Sequence, residues 1–566
     1  MSTLDWIVLF GTLGSIVAYG LYRSRGSNTV DRFLLAGKTM PWYAMALSIM
    51  ATQASAVTFI STTGQSYVDG MRFVQFYFGL PIAMVILCAT VVPVFHRAKV
   101  FTAYEYLEQR FDSKTRALAS FIFLCQRGLS AGLTLYAPAI VLSAILGWPD
   151  RVTIAVMGVT VVMYTALGGV KAVTWSDVQQ MCIIFLGLVA SLVTIFVLLP
   201  NHVSIPDAMF LAGAAGRLNA VTTHFDWNDR FTLWSGLIGG TFLFLSYFGC
   251  DQSQVQRYLT GSSIAQSRLS LIFNAVAKIP MQFFILFIGA MVFVFYLFVQ
   301  PPVLFEQSGL ERIQAANAYR PLAERYSAAF ERRRSAALAL LEARHARDAA
   351  GERRGVSEYR EAQRGVDEVR SQAAQLVETT GGEQGFSDTN YIFLSFVTRY
   401  LPVGLVGLVI AVMFAATMSA SAGEINSLAT VTMVDLYRRY VRRGASEHHY
   451  LMASRWATIF WGLYAVLSAG FGRKLGSLIV AVNVLGSLFY GSLLGVFVLA
   501  FFLRRVNGTA AFYGMLAGEV VVFWAFFFTH ISFLWYNVIG CGVVIGTALI
   551  ITWAGKLGTY SGQTAP

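Results

Sequence analysis

AATMSASAGEINSLAT, residues Ala415 to Thr430, sits inside a long apolar segment of the length that crosses a bilayer, yet carries three serines, two threonines, an asparagine and Glu424. A carboxylate in hydrocarbon costs several kcal/mol unless it is paired, solvated or protonated. On an α-helix each residue advances about 100°, so Ser419, Asn426 and Thr430 fall on one stripe. Thr417, Ser421 and Glu424 fall on a second stripe, nearly opposite the first. Ala415, Ala416, Ala420, Ala422 and Gly423 fill most of the gaps. Neither polar stripe can face lipid, so this helix must be central and packed closely through its small residues.

The rest of the chain fits that setting. Of its 566 residues 56% are hydrophobic and only 13% charged, about half the charged fraction of a soluble protein. Apolar runs long enough to span a membrane recur from end to end, and the fold class is all-α and polytopic. Thirteen spans are expected, near 5–22, 41–64, 73–96, 117–146, 151–168, 176–199, 232–256, 270–300, 402–430, 451–470, 476–503, 509–529 and 531–554. The first has an acidic residue, Asp5, and no basic one before its apolar run, so it reads as a mature span and not as a signal peptide.

Basic residues set the orientation. Arg23, Arg25, Arg32 and Lys38 lie in the first loop, Arg97, Lys99, Arg110, Lys114 and Arg116 in the third. Arg438, Arg439, Arg442, Arg443 and Arg455 flank a later loop, and Arg504 and Arg505 another. With thirteen spans all of these share one side, which places the N-terminus outside the cell membrane and the C-terminus in the cytoplasm. The net charge of +12 is mostly this signal and implies no nucleic-acid binding. The five cysteines form no CxxC or Cys/His cluster, so no metal site or disulfide framework is indicated.

Residues 301–388 separate the membrane parts 1–300 and 389–566. Between Glu311 and Glu378 this segment is rich in Arg, Glu and Ala and contains no Lys. It should form an extracytoplasmic helical hairpin, with one helix to about Ala350, a break near Gly351–Gly355 and a second helix to about Val377. A solvated insert and a docking surface for an extracytoplasmic partner are both open.

Other spans carry polar interruptions. Thr52, Gln53, Ser55 and Thr58 cluster in PWYAMALSIMATQASAVTFIS where a midplane break would fall. Asp177 lies in WSDVQQ at the expected membrane edge, Arg127 in FLCQRGLSAG, Lys278 in NAVAKIPMQ, and the seventh span ends in SYFGCDQSQVQRYL. Ionisable residues within spans usually mark ion or substrate paths, and broken helices with freed carbonyls coordinate Na⁺ in transporters. The residues therefore read as a secondary transporter.

GGVKAVTWSDVQQ, DQSQVQRYLTG and MSASAGEINSLATVTMVDLYRR resemble signature segments of the sodium/solute symporter family. YEYLEQRF, YAPA and ASAVTF are most similar to its branch of iodide, monocarboxylate and multivitamin transporters. The resemblance covers nearly the whole chain outside 301–388. It implies a LeuT-type core of two inverted five-helix repeats, with 41–64 as core helix 1 and 402–430 as core helix 8. It further implies a Na⁺ site built from the carbonyls of Ala51, Ala54 and Ala416 and the hydroxyl of Ser419. The next position, usually Ser or Thr in the family, is Ala420 here, a departure that removes one ligand. Asp177 matches an acidic position serving a second cation or a proton relay, and Glu424 is a further candidate for that role. Tyr247 and Lys278 match an inner gate and a substrate-contacting lysine of a sugar transporter, but Thr58 replaces that branch's sugar-binding glutamine. Gln53, Phe248 and Asn483 are expected to face the same cavity. Arg127 and Lys278 either receive a carboxylate together or neutralise Glu424 and Asp177.

The expected function is Na⁺-coupled uptake of a small solute, an organic anion such as a monocarboxylate, by alternating access. A proton-coupled symporter of the same fold and a transporter-like sensor are the alternatives. No nucleophile–base pair or phosphate-binding loop suggests an enzyme.

Overall fold

The computed structural model describes residues 1–23, 29–315, 318–381, 385–470 and 477–561, so Arg25 lies outside the described residues. These are almost entirely helical, with one isolated parallel bridge between Met40 and Gly261. The elements used below are α1 Thr3–Arg23, α2 Trp42–Gln53, α3 Ala56–Asp69, α4 Ser113–Leu146, α5 Asp150–Leu198, α6 Ile205–Ala214, α7 Gly240–Gly249, α8 Gln252–Leu259, α9 Ile264–Phe298, α10 Tyr319–His345, α11 Ala349–Thr379, α12 Leu405–Val431, α13 Glu447–Ala469, α14 Leu478–Phe502, α15 Gly508–Phe528 and α16 Phe533–Ser561. Among the described residues, nine helices are both long and apolar enough to cross a membrane.

The helix containing the two polar stripes is α12, and it is central. Every residue from Val409 to Val431 is buried, and α12 packs on α1, α2, α3, α4, α5, α8 and α13. Its N-terminus is capped from outside the helix. The Asp5 carboxylate of α1 accepts from the backbone N–H of Gly404 at 2.7 Å and of Gly407 at 3.1 Å. This satisfies two of the four orphan donors at a helix start and sets a negative charge at the positive end of the dipole. A Cβ on Gly407 would lie 2.2 Å from the Asp5 carbonyl oxygen, so only glycine lets α1 approach this closely. At the other end α12 runs on into a π-helical turn, Thr432–Val441.

The second expected span is broken, as its polar residues suggested. α2 stops at Gln53, Ala54 and Ser55 leave helical geometry, and α3 restarts at Ala56. The fifth and sixth expected spans form the single long element α5, bent at Gly169, whose φ of 60° and ψ of −169° favour a residue without Cβ.

The insert is a helical hairpin, but the break is not at Gly351–Gly355. The chain turns at residues 346–348, where Arg347 is left-handed with φ 56° and the Asp348 carboxylate accepts from the Ala350 N–H to start α11. Both glycines are inside α11. A Cβ on Gly355 would touch Leu340 at 3.1 Å, so this glycine serves the close contact of the two helices and not their turn. Buried Arg333 ties the hairpin to α9, donating to the Tyr296 carbonyl at 2.6 Å and to Gln363 at 3.1 Å. Arg370 pairs with Asp388 at 2.9 Å, Arg360 donates to the Ala214 carbonyl at 2.7 Å, and His345 meets Asp207 at 3.0 Å.

Candidate functional site

A cavity of about 100 Å³ opens where α2 breaks. The break supplies Thr52, Gln53, Ser55 and Thr58, α4 supplies Gln126, Arg127 and Ser130, α7 supplies Tyr247, α12 supplies Ala420 and Glu424, and α14 supplies Asn483 and Tyr490. The expected lining residues Gln53, Thr58, Arg127, Tyr247 and Asn483 are therefore brought together. Gln53 is held by its Nε2 donating to Asn274 Oδ1 at 3.1 Å, and the Thr58 hydroxyl donates to the freed Gln53 carbonyl at 2.8 Å.

Two expected members do not line it. Phe248 is fully buried, packed edge-on against Tyr247 with ring centroids 5.0 Å apart, because its position on α7 points into the helix interface. Lys278 is also fully buried, outside the lining, where it donates to the Gln53 carbonyl at 3.3 Å and lies 5.5 Å from the Tyr77 ring centroid. It braces the break from behind. The Arg127–Lys278 pair is not formed, and Lys278 neutralises neither acid.

Arg127 is instead clamped between two carboxylates. Its Nη1 donates to Glu424 Oε1 at 2.9 Å, and its Nη2 pairs with Asp251, which begins α8 as its N-cap. Tyr490 joins the cluster, with its hydroxyl 2.6 Å from Arg127 and donating to Asp251 at 2.9 Å. Ser130 adds a bond to Glu424 at 3.2 Å. Glu424 Oε2 and Arg127 Nε remain without hydrogen-bond partners. With all three groups ionised the cluster has a net charge of −1 in a site almost closed to water.

A second buried cluster lies on the other stripe of α12. Asp177, expected at the membrane edge from its sequence position, is fully buried within α5. Ser419 donates to its Oδ1, Ser48 donates to its Oδ2, and Arg257 of α8 donates to Oδ2 at 2.6 Å. Arg257 reaches this position because residue 423 of α12 is glycine, beside which the guanidinium lies. The positive charge beside Asp177 is thus an arginine of the chain itself. Ala51, Ala54, Ala416 and Ser419 are all buried where α2 and α12 meet, and the Ala51 carbonyl accepts from the Ala54 N–H at 3.1 Å, which leaves a lone pair for another partner. Among the described residues no group of three or more His, Cys, Asp or Glu is placed to hold a metal ion, and the oxygens gathered here are the carbonyls and hydroxyls of α2 and α12 with the Asp177 carboxylate, donors that suit a hard ion.

Asp251, Arg257, Ser48 and Tyr490 were not singled out from sequence. Asp251 and Arg257 both stand in DQSQVQRYL, where two ionisable residues at the end of a span were the available signal. Ser48 and Tyr490 gave none beyond a hydroxyl in an apolar run.

The chain is 28% identical over 526 residues to the sodium-dependent multivitamin transporter of Oryctolagus cuniculus, covering 92% of this chain and 70% of that one. It is 28% identical to the human sodium-coupled monocarboxylate transporter 1, covering 92% and 72%, and 27% identical to the sodium/sialic acid symporter NanT of Aliivibrio fischeri, covering 96% and 92%. The structure of a Na⁺-coupled sialic acid symporter, described as substrate-bound and outward-open, superposes with a TM-score of 0.74 at 24% identity, over 97% of this chain and 98% of that one, which shows a shared LeuT-type fold. The profile of the sodium:solute symporter family matches residues 33–318 and 373–518, leaving out most of the α10–α11 hairpin. This chain belongs to the sodium:solute symporter family.

Proposed function

We propose that the chain couples Na⁺ entry to uptake of a small organic acid, bound at the α2–α3 break with its carboxylate directed at Arg127. The observation that carries this reading is the cavity itself, where Arg127 is the single cationic side chain among hydrogen-bonding groups of α2, α3, α4, α7, α12 and α14. Relatives named for monocarboxylates and sialic acid handle solutes of that class. The net −1 of the Arg127, Glu424 and Asp251 cluster explains why such a solute needs a co-transported cation. Opposite unit charges ~8 Å apart at an effective dielectric of ~20 attract by about 2 kcal/mol, roughly 30-fold in affinity.

The Na⁺ in this proposal sits among the Ala51, Ala54 and Ala416 carbonyls and the Ser419 hydroxyl. Ser419 gives its proton to Asp177, so its lone pairs are free for the ion, and Asp177 acts as a positioning residue. The ion then bridges the broken helix and α12 and favours one conformation by its differential affinity. In this reading the N-terminus and the hairpin face outside and the C-terminus the cytoplasm, an orientation supported by the basic residues of the loops.

Proteoliposomes with an inward Na⁺ gradient test the reading. Radiolabelled short monocarboxylates or sialic acid should accumulate, glucose should not, and Ser419→Ala should raise the Na⁺ concentration needed. Na⁺-independent uptake, or uptake unaffected by Arg127→Gln, refutes it. The unpartnered Glu424 Oε2 favours one second reading, a zwitterion whose ammonium meets Glu424 while its carboxylate meets Arg127. In that case Glu424→Gln abolishes amino-acid uptake and spares any monocarboxylate uptake.

A further inference from the structure

On the face where the basic loops gather, a second pocket of about 590 Å³ is walled by Lys99, Arg116, Arg438, Arg439, Arg443 and Glu105. The acids around it are already committed. Arg116 pairs with Asp435 at 2.6 Å, with Glu108 at 2.8 Å and with Glu105 at 3.7 Å, and Arg439 pairs with Glu108. Among the described residues no carboxylate pairs with Lys99, Arg438 or Arg443. Arg443 donates to the Arg439 carbonyl at 2.6 Å, and Arg438 lies 5.3 Å from the centroid of the Tyr450 ring. Three exposed cations therefore converge on one concave site with nothing to balance them.

We propose that this pocket binds the phosphate headgroup of an anionic lipid of the cytoplasmic leaflet. Guanidinium groups take phosphate oxygens in pairs, and basic pockets between transmembrane helices on this face are suited to acidic headgroups. A lipid is favoured over free phosphate by two apolar neighbours in the same segment. Tyr440 and Val441 are 53% and 70% exposed beside the cations, placed to meet acyl chains while the arginines meet the headgroup. The floor of the pocket is the π-helical turn Thr432–Val441, the direct continuation of α12. π-Helical turns often mark functional positions. A headgroup bound there holds the inner end of the helix that carries Ser419 and Glu424, so the lipid regulates transport by favouring one position of α12.

The test uses the full-length protein in a neutral detergent. Melting temperature is followed while dioleoylphosphatidylglycerol, dioleoylphosphatidylcholine or inorganic phosphate is added at matched ionic strength. Phosphatidylglycerol should give a saturable rise that the zwitterionic lipid and phosphate do not give. The rise should be lost in Lys99→Gln/Arg438→Gln/Arg443→Gln and kept in Arg504→Gln/Arg505→Gln, which removes charge from the same face outside the pocket. Equal loss in both variants means diffuse surface attraction and overturns the site, and a rise with phosphate alone overturns the lipid assignment. Should the triple variant fail to fold, Arg438→Gln alone leaves every internal ion pair in place and should move the phosphatidylglycerol midpoint severalfold. An unmoved midpoint overturns the proposal.

Discussion

Gly423→Ala adds one methyl group at the point where α12 admits Arg257, and the structure fixes what it must do. The new Cβ would lie 2.2 Å from Arg257 Nη2, against the 3.4 Å of ordinary contact, so the guanidinium must retreat by about 1.2 Å. A retreat of that size along the line of the Nη1–Asp177 Oδ2 bond stretches it from 2.6 Å to about 3.8 Å, beyond hydrogen-bond reach. Asp177 is fully buried and keeps only the Ser48 and Ser419 hydroxyls. Leaving one member of a buried ion pair without its partner costs about 3–5 kcal/mol when the partner is deleted. A displaced partner still in the vicinity should cost less, about 1–3 kcal/mol, the range for a lost hydrogen bond to a buried charged group. Arg257→Met should therefore destabilise more than Gly423→Ala. Most of the Gly423→Ala penalty should vanish in an Asp177→Asn background, which leaves no charge to strand. Denaturant unfolding of the four proteins in detergent, read as a double-mutant cycle, measures the coupling. If Gly423→Ala costs the same with aspartate or asparagine at 177, the arginine is not held there by charge and the reasoning fails.

Other perturbations give distinct readouts. Gly289→Ala would put a Cβ 2.2 Å from the Thr63 carbonyl oxygen, a backbone atom that cannot yield, so α3 and α9 should separate and the yield of folded protein should collapse in size-exclusion profiles. Arg333→Met strands the Tyr296 carbonyl and should cost about 2–3 kcal/mol, seen as faster proteolysis within α10 and α11. Asp207 gives a pH effect near the hairpin turn. Burial pushes its carboxyl up, but the Ser204 hydroxyl and backbone together with His345 outweigh that and hold it below the usual value of 3.8. Its folded form thus gains stability that is present above about pH 4 and lost as pH falls through the depressed value. Hydrogen exchange in α6 should quicken below pH 4 in the natural protein, and Asp207→Asn should remove that pH dependence.

How much was legible in the sequence follows from which signals are local. The centrality of α12 was readable because opposed polar stripes on one helix exclude lipid whatever surrounds them. The break at Ala54 and Ser55 was readable from a run of polar residues at mid-span. What the sequence hid was pairing across elements. Arg127 and Asp251 are 124 positions apart, and Arg257 and Asp177 are 80 apart, so nothing local told which acid each arginine would meet. Lys278 misled for the same reason, since a lysine one helix behind a cavity wall reads like one that lines it. The hairpin turn was misplaced because glycine signals both a turn and a close helix contact, and Gly355 serves the second.

The α10–α11 hairpin has a consequence for how such a chain can be altered. Helices of 27 and 31 residues are about 40 and 47 Å long, and because the pair turns back on itself, its entry near Tyr319 and its exit near Thr379 lie at the same end. The surrounding fold therefore meets the insert as if it were one short loop, and the match to the family resumes at residue 373. A module with adjacent ends can be exchanged without moving what flanks it, which is the condition under which domain insertion succeeds. The same junction is a natural place to graft a rigid reporter or an antibody epitope onto this fold.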